Sequence, residues 1–322
     1  AIRSWLIFEK GNLKDFREGK LKTELGTPKE KGNLKIKGPF LMEEEFYFVC
    51  PLDLVKPKEN KENRLFLLSI IEKPKIFISD YPFERLLLWK RKELVDEAKG
   101  YISLIYLKDY LKGKDIKLTE EKELVVKEPK IGIARERSTL TSKEGHLYRV
   151  PMIRLEKGVS LVVKIEDVDG IPENGIIQLG GEGKTAKIEK INNDEIDNLE
   201  HIDCSITNKI FKIYFATPAI FKKGWLPGWI KNENSFVGEY DGIRLKLIAA
   251  CVGKYKHIGG WDLAENKPKP MRRAVPAGSV YYFQILDDND VQKIKDAFHF
   301  KNISDINPEE GFGLSFLGEV RI

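Results

Sequence analysis

The residues able to carry catalytic or metal chemistry are sparse in this chain. Four histidines occur, His146, His201, His257 and His299, and three cysteines, Cys50, Cys204 and Cys251. No two histidines have H-x-x-x-H spacing and no two cysteines lie close together, so neither a zinc site nor a disulfide framework is expected. Gly183-Lys184-Thr185 superficially matches the end of a phosphate-binding loop, but the G-x-x-x-x-G-K-[ST] spacing is missing. A G-x-S-x-G elbow and the kinase motif set are also absent. A metal-independent nuclease can work with one histidine as acid or base, and His257, inside a basic stretch, is the best placed. The alternative is a surface or base-stacking histidine. The reading is therefore no catalytic residue, no metal and no cofactor.

Binding chemistry is better represented. Between Lys254 and Ser279 six cations, Lys254, Lys256, Lys267, Lys269, Arg272 and Arg273, face two acids, Asp262 and Glu265. Tyr255, His257 and Trp261 are interleaved with them, and Tyr281, Tyr282 and Phe283 follow. Cations for phosphates and rings for base stacking are what single-stranded nucleic acid requires. The competing reading is a solvated loop with core aromatics at its edges. Pro268 and Pro270 would hold Lys269 and its neighbours extended. Near the end, Gly311-Phe312-Gly313 is a G-x-G turn whose backbone amides are expected to approach phosphates. A Rossmann loop is a poor match, because nothing follows Ile322 to form the required helix. Arg135 and Arg137 add charge within a candidate arm. Gly224-Trp225-Leu226-Pro227-Gly228-Trp229 reads either as a rigid surface knob that docks a partner through Trp225 and Trp229, or as a small hydrophobic cluster under a loop.

The elements that must position these groups belong to a chain of 322 residues, 42% hydrophobic and 33% charged, with net charge +5. That length allows two domains with real cores. No apolar run reaches the ~20 residues of a membrane span. The N-terminal segment is too short and too soon charged for a secretory signal, and the isolated cysteines suit a reducing, cytoplasmic setting. Ser4–Phe8 is expected to be a strand, and Leu41–Leu54 a second strand region. Residues 56–63 should form a loop, and Leu86–Leu111 has helix-compatible spacing. Pro129–Gly145 reads as an extended hairpin or arm. Strands are expected over Gly158–Ile165, Ile210–Thr217, Ile243–Val252 and Ser279–Leu286, while Ile176–Leu179 runs into a second glycine loop. A short helix should run from Asp290, its cap, to Phe298. This order predicts an α+β fold built on ferredoxin-like units.

Several blocks resemble the third-subunit family of the Cmr complex, the type III-B CRISPR effector, within the RAMP superfamily of RNA-binding proteins. They are Phe16-Arg17-Glu18-Gly19, Pro51-Leu52-Asp53, Gly145-His146-Leu147-Tyr148-Arg149 and Leu179-Gly180-Gly181-Glu182-Gly183. Gly259-Gly260-Trp261-Asp262, the run from Lys269 to Phe283 and the terminal Gly311-Phe312-Gly313 complete the set, and the Lys269–Phe283 run is the most specific. The resemblance implies two ferredoxin-like (RRM-like) units with insertions, here residues 1–155 with the basic arm and 156–322 with the terminal glycine loop. It implies a non-catalytic organising subunit that holds the 5′ tag of the guide RNA. Its protein partners would be the large polymerase-like subunit and the backbone subunits, with target cleavage left to a backbone subunit. A metal-independent endoribonuclease of the same superfamily and a protein-only scaffold remain the alternatives.

Overall fold

A computed structural model describes the chain apart from residues 60–62, 75, 77–79, 119–122, 182, 193, 204, 207–208, 233, 288–290 and 322. Part of the expected 56–63 loop, the expected cap Asp290 and Cys204 therefore lie outside the described residues. The first element is a helix, α1 (Ile2–Lys10), where a strand was expected. A short apolar run fits both periods until its packing is known. Here Trp5, Leu6 and Ile7 are all buried, and the Trp5 indole N–H donates to the Glu9 carboxylate one turn on, at 2.9 Å.

Three strands follow, β1 (Lys35–Met42), β2 (Phe46–Val49) and β3 (Tyr101–Ser103), the last running into helix α2 (Leu104–Leu111). The single strand region expected over Leu41–Leu54 thus breaks at the Glu43–Glu45 turn. Of the helix expected over Leu86–Leu111 only the last eight residues are helical. Short strands at Arg85–Leu88 and Val95–Glu97 precede it. Gly100, at φ 89°, provides the left-handed break a continuous helix could not accommodate. The arm is a two-stranded ribbon, as expected, formed by β4 (Val125–Arg135) and β5 (Ser142–Leu155). Strand β6 (Ser160–Glu166) lies past residue 155 yet returns to pair with β1. The resulting antiparallel sheet has the order β6-β1-β2-β3.

A small hairpin, β7 (Asn174–Gln178) with β8 (Thr185–Glu189), packs on α1. A side chain at Gly175 would meet the Trp5 indole at 2.7 Å, so glycine is what lets the ring lie there. Next come β9 (Ile210–Phe215), β10 (Val237–Tyr240), β11 (Ile243–Cys251) and a pair of short strands, β12 (Lys256–Ile258) and β13 (Arg272–Ala274). The chain closes with β14 (Val280–Ile285), helix α3 (Val291–Phe298) and β15 (Leu314–Glu319). A seven-stranded sheet runs from Ile230–Asn232 through β10, β11, β14, β9 and β15 to Lys301–Asn302, with antiparallel pairings. The molecule is therefore α+β and mostly strand.

The two sheets share one core. Phe48 of β2 meets Phe316 of β15 edge-on at 5.7 Å, and Phe40 of β1 stacks on Phe300 at 6.4 Å. Inside this core sits an ion pair, Asp53 (0% exposed) and Lys212 (1%). The Asp53 carboxylate accepts from the hydroxyls of Tyr282 at 2.6 Å and Tyr110 at 2.8 Å, and lies 3.6 Å from the Lys212 ammonium. That ammonium also sits over the Tyr110 ring at 3.5 Å. Burial brings the Lys212 pKa down to about 8, with Asp53 opposing the shift. Gly318, paired with Lys212 across the strands, leaves the space its side chain occupies. Removing one partner of a buried pair strands the other charge, at a cost of about 3–5 kcal/mol. Asp53→Ala is therefore expected to lose about that much stability in urea unfolding at pH 7, far more than a surface Asp→Ala control.

His299 supplies a pH-dependent term. The Leu317 amide donates to its Nδ1 at 3.3 Å, so the ring proton lies on Nε2, 3.1 Å from the Leu199 carbonyl. Burial lowers its pKa below the ordinary 6.5. As pH falls through 6.5 the unfolded chain takes up a proton that the folded ring refuses. Stability is therefore lost toward acid, by at most about 1.4 kcal/mol per pH unit. His299→Gln should give a flatter dependence than the parent between pH 6.5 and 5 in the same unfolding assay.

Candidate nucleic-acid interface

Strands β12 and β13 leave the large sheet and carry most of the basic stretch. Their register pairs His257 with Arg273, Ile258 with Arg272 and Lys256 with Ala274. Because side chains alternate across a strand, this pairing divides the cations between two faces. On one face the Arg273 guanidinium lies over the Tyr255 ring at 4.8 Å, and Tyr255 meets the His257 ring edge-on at 5.2 Å. All three are exposed, as are Lys254 and Lys256 beside them. On the other face Arg272 looks into a cleft of about 1440 Å³ bounded by α1, β6, the β7–β8 hairpin and the Ile258–Ala264 excursion.

Pairing separates these cations into two groups. Lys267 is bridged to Glu265 at 3.1 Å and Lys269 lies 3.8 Å from Glu310. Among the described residues Lys254, Lys256, Arg272 and Arg273 have no carboxylate partner. Glu310 is held by Lys31, which also bridges Glu309 at 2.8 Å. Burial alone would raise the Glu310 pKa, and the Lys31 hydrogen bond with the charges of Lys31, Lys269 and Arg3 brings it below the ordinary range. Lys269 is thus partly occupied at the cleft wall, while four cations remain open to an anion.

The terminal glycines have a different role from the one expected. Gly311 and Gly313 are buried, and their amides donate to the carbonyls of Pro308 at 3.1 Å and Pro218 at 2.8 Å. These amides are consumed inside the protein and do not face a phosphate. Both residues have positive φ, 95° and 72°, and an added Cβ would stand 2.6 Å from the Gly38 carbonyl oxygen and 2.6 Å from the Ser304 nitrogen respectively. They let β15 enter the sheet against the β1 segment. Phe312, between them, reaches the cleft. By contrast Gly180 and Gly183 stand in open space at the tip of the β7–β8 hairpin.

Arg135 ends β4 and Arg137 lies in the following turn, both exposed, on a two-stranded sheet separate from β12 and β13. His146 is exposed on β5. The tryptophan pair splits as well. Trp229 is packed among Phe283, Tyr240 and Phe298, at 5.3, 5.6 and 6.2 Å, so it is core-packed and not half of a surface knob. Trp225 stays 38% exposed, with its ring edge-on to Phe83 at 5.8 Å. The cleft residues Arg3, Lys31 and Glu310 had no signal in the sequence, since only the fold brings residues so far apart in the chain together.

These features define a strand-rich, antiparallel α+β protein with cations and rings gathered on one exposed excursion. Residues 1–320 match the family described as CRISPR-associated protein (Cas_Cmr3), and the chain belongs to that family of CRISPR defence proteins. The CRISPR system CMR subunit Cmr3 of Saccharolobus solfataricus is 29% identical over 203 residues, 61% of this chain and 53% of that protein. The chain thus spans about half the length of this curated relative. Chains of the type III-B Cmr-beta complex bound to cognate target RNA, in one case also to AMPPnP, are similar at 19% identity and TM-score 0.41. They cover 77% of this chain and 64% and 66% of their own lengths. Among the described residues no helix is long and apolar enough to cross a membrane.

The glycine geometry yields a direct test. Gly311→Ala and Gly313→Ala each force a side chain into a left-handed, backbone-crowded position, and each should destabilise by at least ~1–3 kcal/mol. Thermal unfolding should show that loss as a lower melting temperature than the parent's.

Proposed function

We propose that this chain is a non-catalytic RNA-binding subunit of a type III-B CRISPR ribonucleoprotein, holding the 5′ tag of the guide RNA beside the large polymerase-like subunit. The observation that carries this reading is one short excursion that holds the cations Lys254, Lys256, Arg272 and Arg273, without carboxylate partners among the described residues, together with the Tyr255 and His257 rings, Arg273 lying over Tyr255 and Arg272 facing the cleft. Family membership and the names of the relatives support the setting. Single-stranded RNA needs phosphate neutralisation and ring faces side by side, and both occur here on one short excursion. His257 has a ring and a guanidinium as neighbours, which suits stacking better than proton transfer. Arg135 and Arg137 would extend the contact along the ribbon, and Trp225 would meet a protein neighbour. The cytoplasm is the compartment this role requires.

The unit organisation has uneven support. In the large sheet the strands β9, β11, β14 and β15, taken in chain order, lie as fourth, first, third, second, with α3 between the last two. That interleaving supports a ferredoxin-like reading of this half, in which residues 216–242 would stand in place of the first helix. The N-terminal sheet, with order β6-β1-β2-β3, is fourth, first, second, third, as in a Greek key. We assign the ferredoxin-like unit to the C-terminal half and treat the N-terminal half as its companion layer.

Each phosphate contact on a single strand contributes ~0.7 to the log–log salt slope. In a complex of this chain with the large subunit and a tagged guide RNA, Arg272→Ala/Arg273→Ala should lower the slope by about 1.4 and weaken retention of the guide. An unchanged slope and unchanged retention overturn the assignment. Cleavage of the guide in EDTA would instead establish the nuclease alternative.

A further inference from the structure

A second cavity, sharing no residue with the cleft, opens between the N-terminal half and the end of β15. Its walls are the short strand Arg64–Leu67, the segment after Arg85–Leu88, the turn after α2 and the residues that follow β15. The volume is about 210 Å³, which at ~30 Å³ per water is room for about seven waters or for a small hydrated ion.

The floor is the buried pair of the core, since Lys212 and Tyr282 both line the cavity. Both Asp53 oxygens already accept from the Tyr110 hydroxyl, at 2.8 and 2.9 Å, and one accepts from Tyr282 at 2.6 Å. The Lys212 ammonium stands 3.6 Å from that carboxylate, an ion pair too long for a hydrogen bond, and over the face of the Tyr110 ring. Among the described residues no oxygen lies nearer to it. An ammonium has three N–H donors, so two neighbours leave one for an acceptor in the cavity. A buried donor left without an acceptor is costly, which makes this the place where an acceptor gains most.

The rim is cationic. Lys90, Arg91 and Arg321 are exposed there, and among the described residues none has a carboxylate partner. Arg91 is fixed by the rings of Phe66 and Trp89, 4.2 and 5.3 Å from its guanidinium. Arg321 lies across Gly113, where a Cβ would stand 3.3 Å from its Cγ, and its charge helps to lower the Lys212 pKa. Two carboxylates share the lining, Asp115 and Glu319, and Asp115 is engaged by the Leu67 amide at 3.2 Å. Four cations against two acids, in a recess of low dielectric, favour an anion of more than one charge. Arg91 already covers the Phe66 and Trp89 rings, so the recess suits a compact anion and not a nucleobase.

We propose that this cavity binds a free, multiply charged tetrahedral oxyanion, of the orthophosphate or sulfate class, through Arg91 and Arg321 at the rim and the Lys212 ammonium at the floor. The anion offsets the repulsion between Arg321 and Lys212. It thereby ties the firmness of the junction between the two sheets to the anion in solution. This inference stands apart from the RNA-binding reading, because the cavity uses none of the cations of β12 and β13.

The full chain is titrated with sodium phosphate and sodium sulfate against matched sodium chloride by isothermal calorimetry. The expected result is saturable binding of both, weakened about tenfold or more by Arg91→Ala/Arg321→Ala, which removes two charge-assisted contacts. Arg272→Ala/Arg273→Ala should leave it unchanged. Lys212 belongs to the core, so it is read without substitution. Formaldehyde with cyanoborohydride methylates neutral amines, and at pH 8, near the Lys212 pKa of about 8, peptide mapping should find Lys212 modified. Phosphate should slow that labelling several-fold and leave Lys14, 80% exposed, unaffected. The inference is overturned by an absence of saturable binding, by binding indifferent to Arg91 and Arg321 or lost with Arg272 and Arg273, or by a Lys212 that phosphate does not protect. Protection by a 5′-phosphorylated oligoribonucleotide with free phosphate inert overturns it too, since the site would then hold the end of a nucleic acid. Guide retention by the Arg272→Ala/Arg273→Ala chain bears on the proposed function alone.

Discussion

The two sheets meet on a fully buried charge pair. Asp53 comes from the turn after β2, while Lys212 and Tyr282 come from adjacent strands of the large sheet and Tyr110 from α2. Desolvating an ammonium and a carboxylate is costly, and their attraction offsets that only when the remaining lone pairs and protons are satisfied. The two tyrosine hydroxyls and the Tyr110 ring do so from fixed elements, so the pair tolerates one arrangement of the two sheets. The Tyr214 hydroxyl adds a 2.6 Å bond to the Val49 carbonyl, and the Leu52 amide one of 2.9 Å to Gly278. An apolar core alone could slide, whereas this polar interior sets the register between the layers.

That rigidity explains where the glycines fall. Gly278, at φ 90°, would place a Cβ 2.8 Å from the Cys50 carbonyl oxygen, and Gly311 one 2.6 Å from that of Gly38. Both mark points where one half of the chain passes the other at backbone distance. Thr217 works at the same junction, donating to the Gly311 carbonyl and accepting from the Leu314 amide. The G-x-G signal was therefore real as backbone geometry. Its object is the protein's own main chain, and no local pattern distinguishes the carbonyl of a distant residue such as Pro218 or Gly38 from a phosphate.

The same boundary separates what could be read in the sequence from what could not. Strands β9, β11 and β14, the ribbon and α3 were legible because each has a strong local period and turn residues at its ends. Ser4–Phe8 was misread because three consecutive apolar residues specify burial without specifying a period, and the hairpin that buries Trp5 lies some 170 residues on. The basic stretch was legible as composition. Its division was not, since only the pairing of His257 with Arg273 and Ile258 with Arg272 decides which cation faces outward and which lines the cleft. Trp229 belongs to the core for a related reason, because its partners Tyr240, Phe283 and Phe298 come from three separate elements.

Charge pairing is what finally sorts surface from site. Lysine and glutamate are plentiful here, and most exposed ion pairs of this kind contribute little to stability. Their consequence is subtractive. Lys31 and Lys269 are drawn to Glu310, Lys267 to Glu265 and Arg154 to Glu128, so each loses part of its attraction for an outside anion. Of the cations left over, Lys254, Lys256, Arg272 and Arg273 are set apart by sharing one short excursion with the rings of Tyr255 and His257. A surface is thus defined less by how many cations it carries than by how many of them are already occupied by the protein's own carboxylates.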